Sequence, residues 1–412
     1  MFLKTTIKVD IFTQKTNESL QILNFISKFA SEMLGIYIHI PFCKSRCIYC
    51  GFYSTVGLEL RQRYVDAVCM EMQMRHADCP STIYIGGGTP SQLTGEQLRQ
   101  LFHYIYKVYG EGAEEITIEC NPDDVTEKYA ATLSQLKMNR VSMGAQTFDN
   151  KRLAFLHRRH SAEQVTVAVQ RLRDAGIQNI SIDLMYGFPN ETLDDWRCDI
   201  EAALTLNVEH ISAYCLMIEE GTPLYEQMRN EKLEMRNGNE EMKNDETEEL
   251  ERAMYNELID RLTAAGYEHY EISNFAKPGF RSRHNSSYWH DVPYIGLGTA
   301  AHSYDGVSRS WNVADINEYI AAIERGERPA ERETLDGDTR YNDRITVALR
   351  TSDGLDLNTL SERHRHYCLK EAQRFIDNGL LQLKGSHLIL TRKGLFVSDM
   401  VMSGLIYVND DI

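Results

Sequence analysis

Three cysteines crowd into eight residues of this 412-residue chain. They lie in His39-Ile-Pro-Phe-Cys-Lys-Ser-Arg-Cys-Ile-Tyr-Cys-Gly-Phe-Tyr-Ser54 as Cys43, Cys47 and Cys50. Thiolates at Cys-x3-Cys-x2-Cys spacing are metal ligands before they are anything else in a reducing compartment. Structural zinc takes four protein ligands, so a remote thiol such as Cys69 or Cys79 would have to complete a zinc site. A 4Fe-4S cluster has four irons. Three thiolates would leave one iron open to a substrate or cofactor. The other cysteines, Cys69, Cys79, Cys120, Cys198, Cys215 and Cys368, follow no ligand spacing and read as small apolar fillers.

Further polar residues stand at the ends of apolar runs, where a ligand would be met. Gly86-Gly-Gly-Thr-Pro90 follows the run 82–85, and three glycines let a backbone approach a ligand and present N–H groups to it. Glu119, Gln146 and Asp183 close or follow the next runs. Arg158, in Leu156-His-Arg-Arg-His160, is a candidate bidentate clamp for a carboxylate, with Arg159 its competitor.

The elements that must carry these residues alternate. Strand-like runs at 36–40, 82–85, 115–119, 139–143, 179–184 and 209–214 are each followed by a helix-like stretch. Thr94 with Gln97, Ser161 with Gln164 and Thr192 with Asp195 mark helix starts as capping boxes, and Gly176 and Gly266 mark helix ends. Repeated strand–helix units imply parallel strands with right-handed crossovers. Six units are fewer than a closed eight-stranded barrel needs. The expected fold is therefore α/β, a partial (β/α)6 barrel with its ligands at the C-terminal strand ends.

Outside that barrel, residues 1–34 read as an N-terminal extension, or as an upstream start ahead of Met33. Residues 35–230 read as the barrel and 231–335 as a connector and a region completing it. The acid-rich segment 229–252 reads as a solvated connector leading into a helix that ends at Gly266. Residues 336–412 read as a small α+β, winged-helix-like domain, with helices at 342–350, 357–366 and 369–378 and a hairpin at 380–390. The formal net charge of −16 argues against a general nucleic-acid binder. No apolar run reaches the roughly 18 residues of a membrane span. The start lacks a small-residue cleavage site, which predicts a cytoplasmic protein.

The cysteine triplet directly after the first strand resembles the radical S-adenosylmethionine (SAM) superfamily. That resemblance implies a 4Fe-4S cluster on Cys43, Cys47 and Cys50, with SAM chelating the open iron and cleaved to a 5′-deoxyadenosyl radical. Tyr37-Ile-His-Ile-Pro-Phe-Cys43, Gly86-Gly-Gly-Thr-Pro-Ser91, Ser142-Met-Gly-Ala-Gln146, Ile182-Asp-Leu-Met-Tyr-Gly-Phe-Pro189 and Tyr270-Glu-Ile-Ser-Asn-Phe-Ala276 narrow it. They are similar to the oxygen-independent coproporphyrinogen III oxidase family, from about residue 35 to the C-terminus. By that likeness the SAM contacts would be Tyr37, Tyr49, Gly87, Gly88, Thr89, Glu119, Gln146, Arg158, Asp183 and Met217. His302 stands where the oxidases have a further contact of another residue type.

The oxidases extend the motif to a fourth cysteine, and here that position is Phe52. His284-Asn-Ser-Ser-Tyr-Trp289 instead resembles the heme-binding HemW branch. The resemblance implies heme as ligand, heme-acceptor proteins as partners, and an electron donor such as flavodoxin or ferredoxin. It also implies heme contact by His284, with Tyr288, Trp289 and Tyr294 against the porphyrin and Arg281 and Arg283 near its propionates. His290 and His302 are the further imidazoles of this region. The rival activity is oxidative decarboxylation of coproporphyrinogen III.

Overall fold

Alternation of apolar and polar residues builds six parallel strands. They are β1 (Gly35–Ile40), β2 (Thr82–Gly87), β3 (Glu115–Cys120), β4 (Arg140–Gln146), β5 (Asn179–Tyr186) and β6 (His210–Cys215), paired in that order. The computed structural model describes residues 34–234 and 240–409. Ile36, Ile38 and Ile40, with Ile83, Ile85, Ile116 and Ile118, enter one core with Tyr64, Val65, Val68, Leu98, Leu101 and Phe102 of the outer helices. The intervening residues face the other way and bond to one another. Tyr84 Oη donates to Glu119 (2.8 Å), Ser181 Oγ meets His210 Nδ1 (2.7 Å) and Ser142 Oγ reaches Asp183 (3.5 Å). Parallel sheets are usually apolar on both faces; here the inner face is polar.

Each strand but the last returns through a helix on the outer face: α1 (Arg61–Met74), α2 (Gly95–Tyr109), α3 (Glu127–Gln135), the pair α4 (Asn150–Phe155) and α5 (Ala162–Asp174), and α6 (Leu193–Thr205). The three expected capping boxes form. Thr94 N–H donates to Gln97 (3.0 Å), Ser161 N–H to Gln164 (2.8 Å) and Thr192 N–H to Asp195 (3.0 Å). Gly176 follows α5 at φ +90°, the left-handed conformation that favours glycine.

The sheet continues at both edges. Beside β6 lie antiparallel β7 (Glu268–Glu271) and β8 (Asn274–Ala276), reached through α7 (Pro223–Glu234) and α8 (Glu240–Ala264). The helix α9 (Arg283–Trp289) crosses to the other edge, where β9 (Tyr294–Leu297) pairs parallel with β1. Antiparallel β10 (His302–Tyr304), β11 (Ser308–Asn312) and β12 (Ala330–Thr334) follow, with α10 (Ile316–Glu324) between the last two. Fully buried Glu71 of α1 pins this edge. It accepts from Gly298 N (2.8 Å), Asn312 Nδ2 (2.9 Å) and Tyr319 Oη (2.7 Å), with Arg75 at 3.5 Å.

A second core (Tyr341, Ile345, Leu355, Phe375, Leu388 and others) belongs to the C-terminal unit. There α11 (Gly337–Ala348) and α12 (Glu362–Asp377) pack on the antiparallel strands β13 (Leu355–Asp356), β14 (Leu381–Lys384) and β15 (His387–Leu390). The two helices expected at 357–366 and 369–378 are a 3-10 turn, Leu357–Thr359, and one continuous helix. No glycine or proline separates the two halves, so nothing breaks the helix. The N-terminal extension and part of the acidic connector lie outside the described residues. Cys69, Cys120 and Cys368 are buried fillers as expected; Cys79 and Cys198 are exposed and are not.

Candidate functional site

The cysteine loop leaves the C-terminal end of β1 and folds back over the barrel mouth. Thr55 N–H donates to Pro41 O (2.7 Å) and Cys43 N–H to Thr55 O (2.8 Å), closing the loop at its base. Its middle is held by Ile48, whose side chain joins Leu156, Met185, Phe188, Leu216 and Leu224 in a separate apolar cluster. Leu224 N–H donates to Ile48 O (2.9 Å). Cys43 is buried, with Sγ 3.4 Å from Thr89 Oγ1, while Cys47 and Cys50 are half-buried. Burial pushes the Cys43 and Cys50 thiols up, and neighbouring thiols add to this. Among the described residues no group of three His, Cys, Asp or Glu is drawn together for a single metal ion. Thiolates of a four-iron cluster each bind a different iron.

The glycine run presses against this loop. A Cβ on Gly88 would lie 2.8 Å from the Pro41 carbonyl carbon and 3.1 Å from Cys43 Sγ. One on Gly87, at φ +114°, would lie 2.6 Å from the His39 ring, and one on Gly86 2.9 Å from Glu119. Only backbone fits there. Glu119 accepts from Gly87 N–H (3.0 Å) as well as from Tyr84. Burial raises its carboxyl to about 7, and burial raises that of Asp183 to about 6.

Arg158 and Gln146 converge on the same mouth. A Cβ on Gly144 would meet Gln146 Nε2 at 2.6 Å and Arg158 Nη2 at 3.0 Å. Gln146 sits at φ +66° where β4 and β5 slip register, a strained conformation that re-aims its side chain. Arg158 donates to Asn121 Oδ1 and Gly144 O, each at 2.7 Å, and to Cys47 Sγ at 3.5 Å. Its buried Nε has no partner among the described residues. Arg159 is spoken for by Asp123 and Asp124, both at 3.0 Å. Of the two arginines, Arg158 is the one with a donor to spare at the cysteines. Tyr37, stacked on Tyr84, and Tyr49, two residues from Cys47, line the same end. Met217 stands 65% exposed on the loop after β6, which touches the cysteine loop where Gly51 abuts Glu219.

His284 is elsewhere. It lies at the N-terminal end of the strands, on the barrel floor, 0% exposed. Its Nδ1 meets Thr82 Oγ1 and its Nε2 meets Tyr288 Oη, each at 2.8 Å, and its ring stacks on Tyr84. Burial, aided by Arg140, lowers its pKa to about 3. The imidazole expected as a heme contact is thus buried in this structure with both ring nitrogens engaged. The expected propionate partners are also taken, Arg281 by Glu268 (2.9 Å) and Arg283 by Glu114. Trp289 lies under Arg350.

Two residues escaped the sequence reading. Asn121 orients Arg158, and its only signal was its place just past the β3 end. Arg140, 1% exposed, opens β4 inside the barrel with Nε and Nη1 unpartnered among the described residues. Its charge is felt by Glu119, Asp183, His210 and His284. An arginine at the head of an apolar strand was that signal.

Residues 37–203 match the model of the radical SAM superfamily, and residues 335–397 that of the HemN C-terminal domain. The chain is 33% identical over 393 residues to the heme chaperone HemW of Mycobacterium tuberculosis, covering 92% of this chain and 97% of the relative. It is 32% identical to heme chaperone HemW of Bacillus subtilis, covering 91% and 99%. Among solved structures it is similar to coproporphyrinogen III oxidase (HemN) from Escherichia coli, with a TM-score of 0.76 at 20% identity and 91% of each chain covered. That last likeness establishes the radical SAM fold.

Proposed function

This chain belongs to the heme chaperone HemW family within the radical SAM superfamily, and on that footing we propose that it carries heme to acceptor proteins in the cytoplasm. It does so while holding a 4Fe-4S cluster on Cys43, Cys47 and Cys50 and SAM beside it. The observation that carries the reading is the convergence at the barrel mouth. Three thiols, a glycine run with no room for side chains, and an arginine whose buried Nε has no partner among the described residues meet there. This donor set fits a cluster with one iron left for SAM. When bound, the cluster and SAM supply one-electron chemistry, with a flavodoxin- or ferredoxin-type donor as the source.

The chain's own residues divide the remaining work. Arg158 offers its guanidinium to a carboxylate. Glu119 and Asp183 offer carboxylates to the ammonium and hydroxyl groups of SAM, and Gln146 an amide. Gly86 to Gly88 let SAM approach the backbone closely, with no side chain in the way. Phe52 stands 71% exposed where the oxidases carry their fourth motif cysteine, which speaks against decarboxylation of coproporphyrinogen III.

The test is anaerobic reconstitution followed by heme titration, with SAM cleavage and coproporphyrinogen turnover followed on the same sample. Stoichiometric heme binding without protoporphyrinogen formation is expected. Robust protoporphyrinogen formation would overturn the chaperone assignment.

A further inference from the structure

The cysteine loop is a thin wall with two different sides. Its thiols turn inward, Cys43 Sγ toward Thr89 Oγ1 (3.4 Å) and Cys47 Sγ toward Arg158 (3.5 Å). The residues between those two cysteines, Lys44, Ser45 and Arg46, are exposed. No hydrogen bond or ion pair holds Lys44 or Arg46 among the described residues. Other exposed arginines find carboxylates, among them Arg63 with Glu324, Arg325 with Glu327 and Arg332 with Asp305. The Arg46 charge also reaches the Cys43 and Cys50 thiols, where it opposes the upward push of burial.

Apolar side chains are exposed on the same surface. Phe52 and Val56 lie on the return of the cysteine loop, and Met217 and Ile218 lie on the loop after β6 that meets it at Gly51. Several large apolar side chains left in water on two touching loops mark an interaction surface. With unpaired cations beside them, they have the composition of a transient protein interface.

We infer that the outer face of the cysteine loop, with Lys44 and Arg46 as its cations, is the docking surface for an acidic one-electron carrier protein of the flavodoxin or ferredoxin type. The inference rests on the cluster reading above and gives its electron donor a place to bind. The transfer is a single electron. The carrier is oxidised by one electron and the cluster held by Cys43, Cys47 and Cys50 is reduced by one, with no bond made or broken. SAM lies on the inner side of the wall, so carrier and SAM bind without competing.

Charge selects the partner. A net charge of −16 repels an acidic protein as a whole, so its approach is favourable only where cations stand free. Glu219 and Glu220 are exposed on the facing loop, Glu219 against Gly51. They repel the carrier at that end and so turn it over Lys44 and Arg46. A small contact of this kind matches a redox encounter, which must release its partner after each electron.

The experiment uses the full-length reconstituted protein under anaerobic conditions, with a flavodoxin and separately a 2Fe-2S ferredoxin as probes. Binding is read by calorimetry and reduction by stopped-flow absorbance of the cluster. Wild-type affinity should fall as salt is raised. Lys44→Ala combined with Arg46→Ala should weaken the carrier by about fivefold or more and flatten its salt dependence. Iron content, SAM affinity and reduction by dithionite, which needs no docking surface, should be unchanged. Lys384→Glu, on the C-terminal hairpin, is the control for a general charge effect and should bind the carrier as wild type does. Unchanged carrier affinity in the double variant would overturn the inference, and so would an equal loss in Lys384→Glu. A wild type that binds neither carrier while dithionite reduces its cluster would overturn the inference and leave the cluster reading standing. A wild type that assembles no cluster would sink both.

Discussion

Gly88 is where the geometry can be tested hardest. An alanine there puts Cβ 2.8 Å from the Pro41 carbonyl carbon and 2.9 Å from its oxygen, where ordinary contact begins at 3.4 Å. The obstacle is backbone, so no rotamer change relieves it. The ends of β1 and β2 must part by about 0.6 Å, against the Gly88 N–H to Ile40 O bond (2.9 Å) that ties them. Overpacking of this kind costs about 1–3 kcal/mol. In a protein of this size that lowers Tm by only a few degrees, roughly 2–4 °C per kcal/mol. The effect on the site is larger than the effect on the fold. Functional constellations tolerate displacements of about 0.5 Å, and Cys43 is two residues from Pro41. Gly88→Ala should therefore fold, yet after anaerobic reconstitution should hold less than half the wild-type iron and sulfide and bind SAM at least tenfold more weakly. Gly95→Ala is the control. Its Cβ meets nothing closer than 3.4 Å at the start of α2, so it should match wild type in both assays. Full cluster content and wild-type SAM affinity in Gly88→Ala would refute the reasoning.

Alanine at Cys43, Cys47 or Cys50 should each abolish the 4Fe-4S spectrum, whereas Cys69→Ala, in the core, should cost about 1 kcal/mol of stability and leave the spectrum intact. A spectrum kept by Cys50→Ala and lost by Cys69→Ala would reverse the ligand assignment. His284→Ala strips bonds from Thr82 and Tyr288 and opens a buried cavity, so denaturant melts should show a loss of about 2–4 kcal/mol. Glu119 and Asp183 are raised carboxyls, about 7 and about 6. Their contribution to stability is greatest in acid and is lost as pH rises from the ordinary carboxylate range through those values. SAM is cationic and needs the ionised forms, so its affinity should fall up to tenfold per unit as pH drops below about 7, more steeply below about 6. A flat profile by equilibrium dialysis, or the same profile in Glu119→Gln, would remove Glu119 from the site.

The barrel was legible because its signal is local. Each of the six strands falls within three residues of the run that predicted it, and the three capping boxes sit where Ser or Thr precedes Gln or Asp by three. The short edge strands were not legible. β8 and β10 are three residues each, too short for alternation to show, and they exist because β6 and β9 offer unpaired edges. Arg158 and Arg159 are neighbours of one type in sequence. Only the fold, by bringing Asp123 and Asp124 to one and Asn121 and Cys47 to the other, tells them apart.

His284, a motif residue in the sequence, also has a structural place in the fold. A histidine beside tyrosine and tryptophan reads as a porphyrin contact, yet the same residue types also make a plug. The barrel interior is lined with polar groups, Thr82, Tyr84, Thr117, Glu119, Arg140, Ser181, Asp183 and His210. Such a lumen must be closed at its floor, or water would enter and bring Glu119 and Asp183 back toward ordinary carboxylate behaviour. α9 supplies that closure. Glu115 accepts from the N–H groups of Arg283 and His284, both at 2.9 Å, and Thr82 and Tyr288 hold the imidazole across the opening. A neutral, doubly bonded imidazole is well suited to the task, because it satisfies a hydroxyl on each side without adding charge beside Arg140. The floor thus helps keep the lumen closed around Glu119 and Asp183, where burial raises both carboxyls.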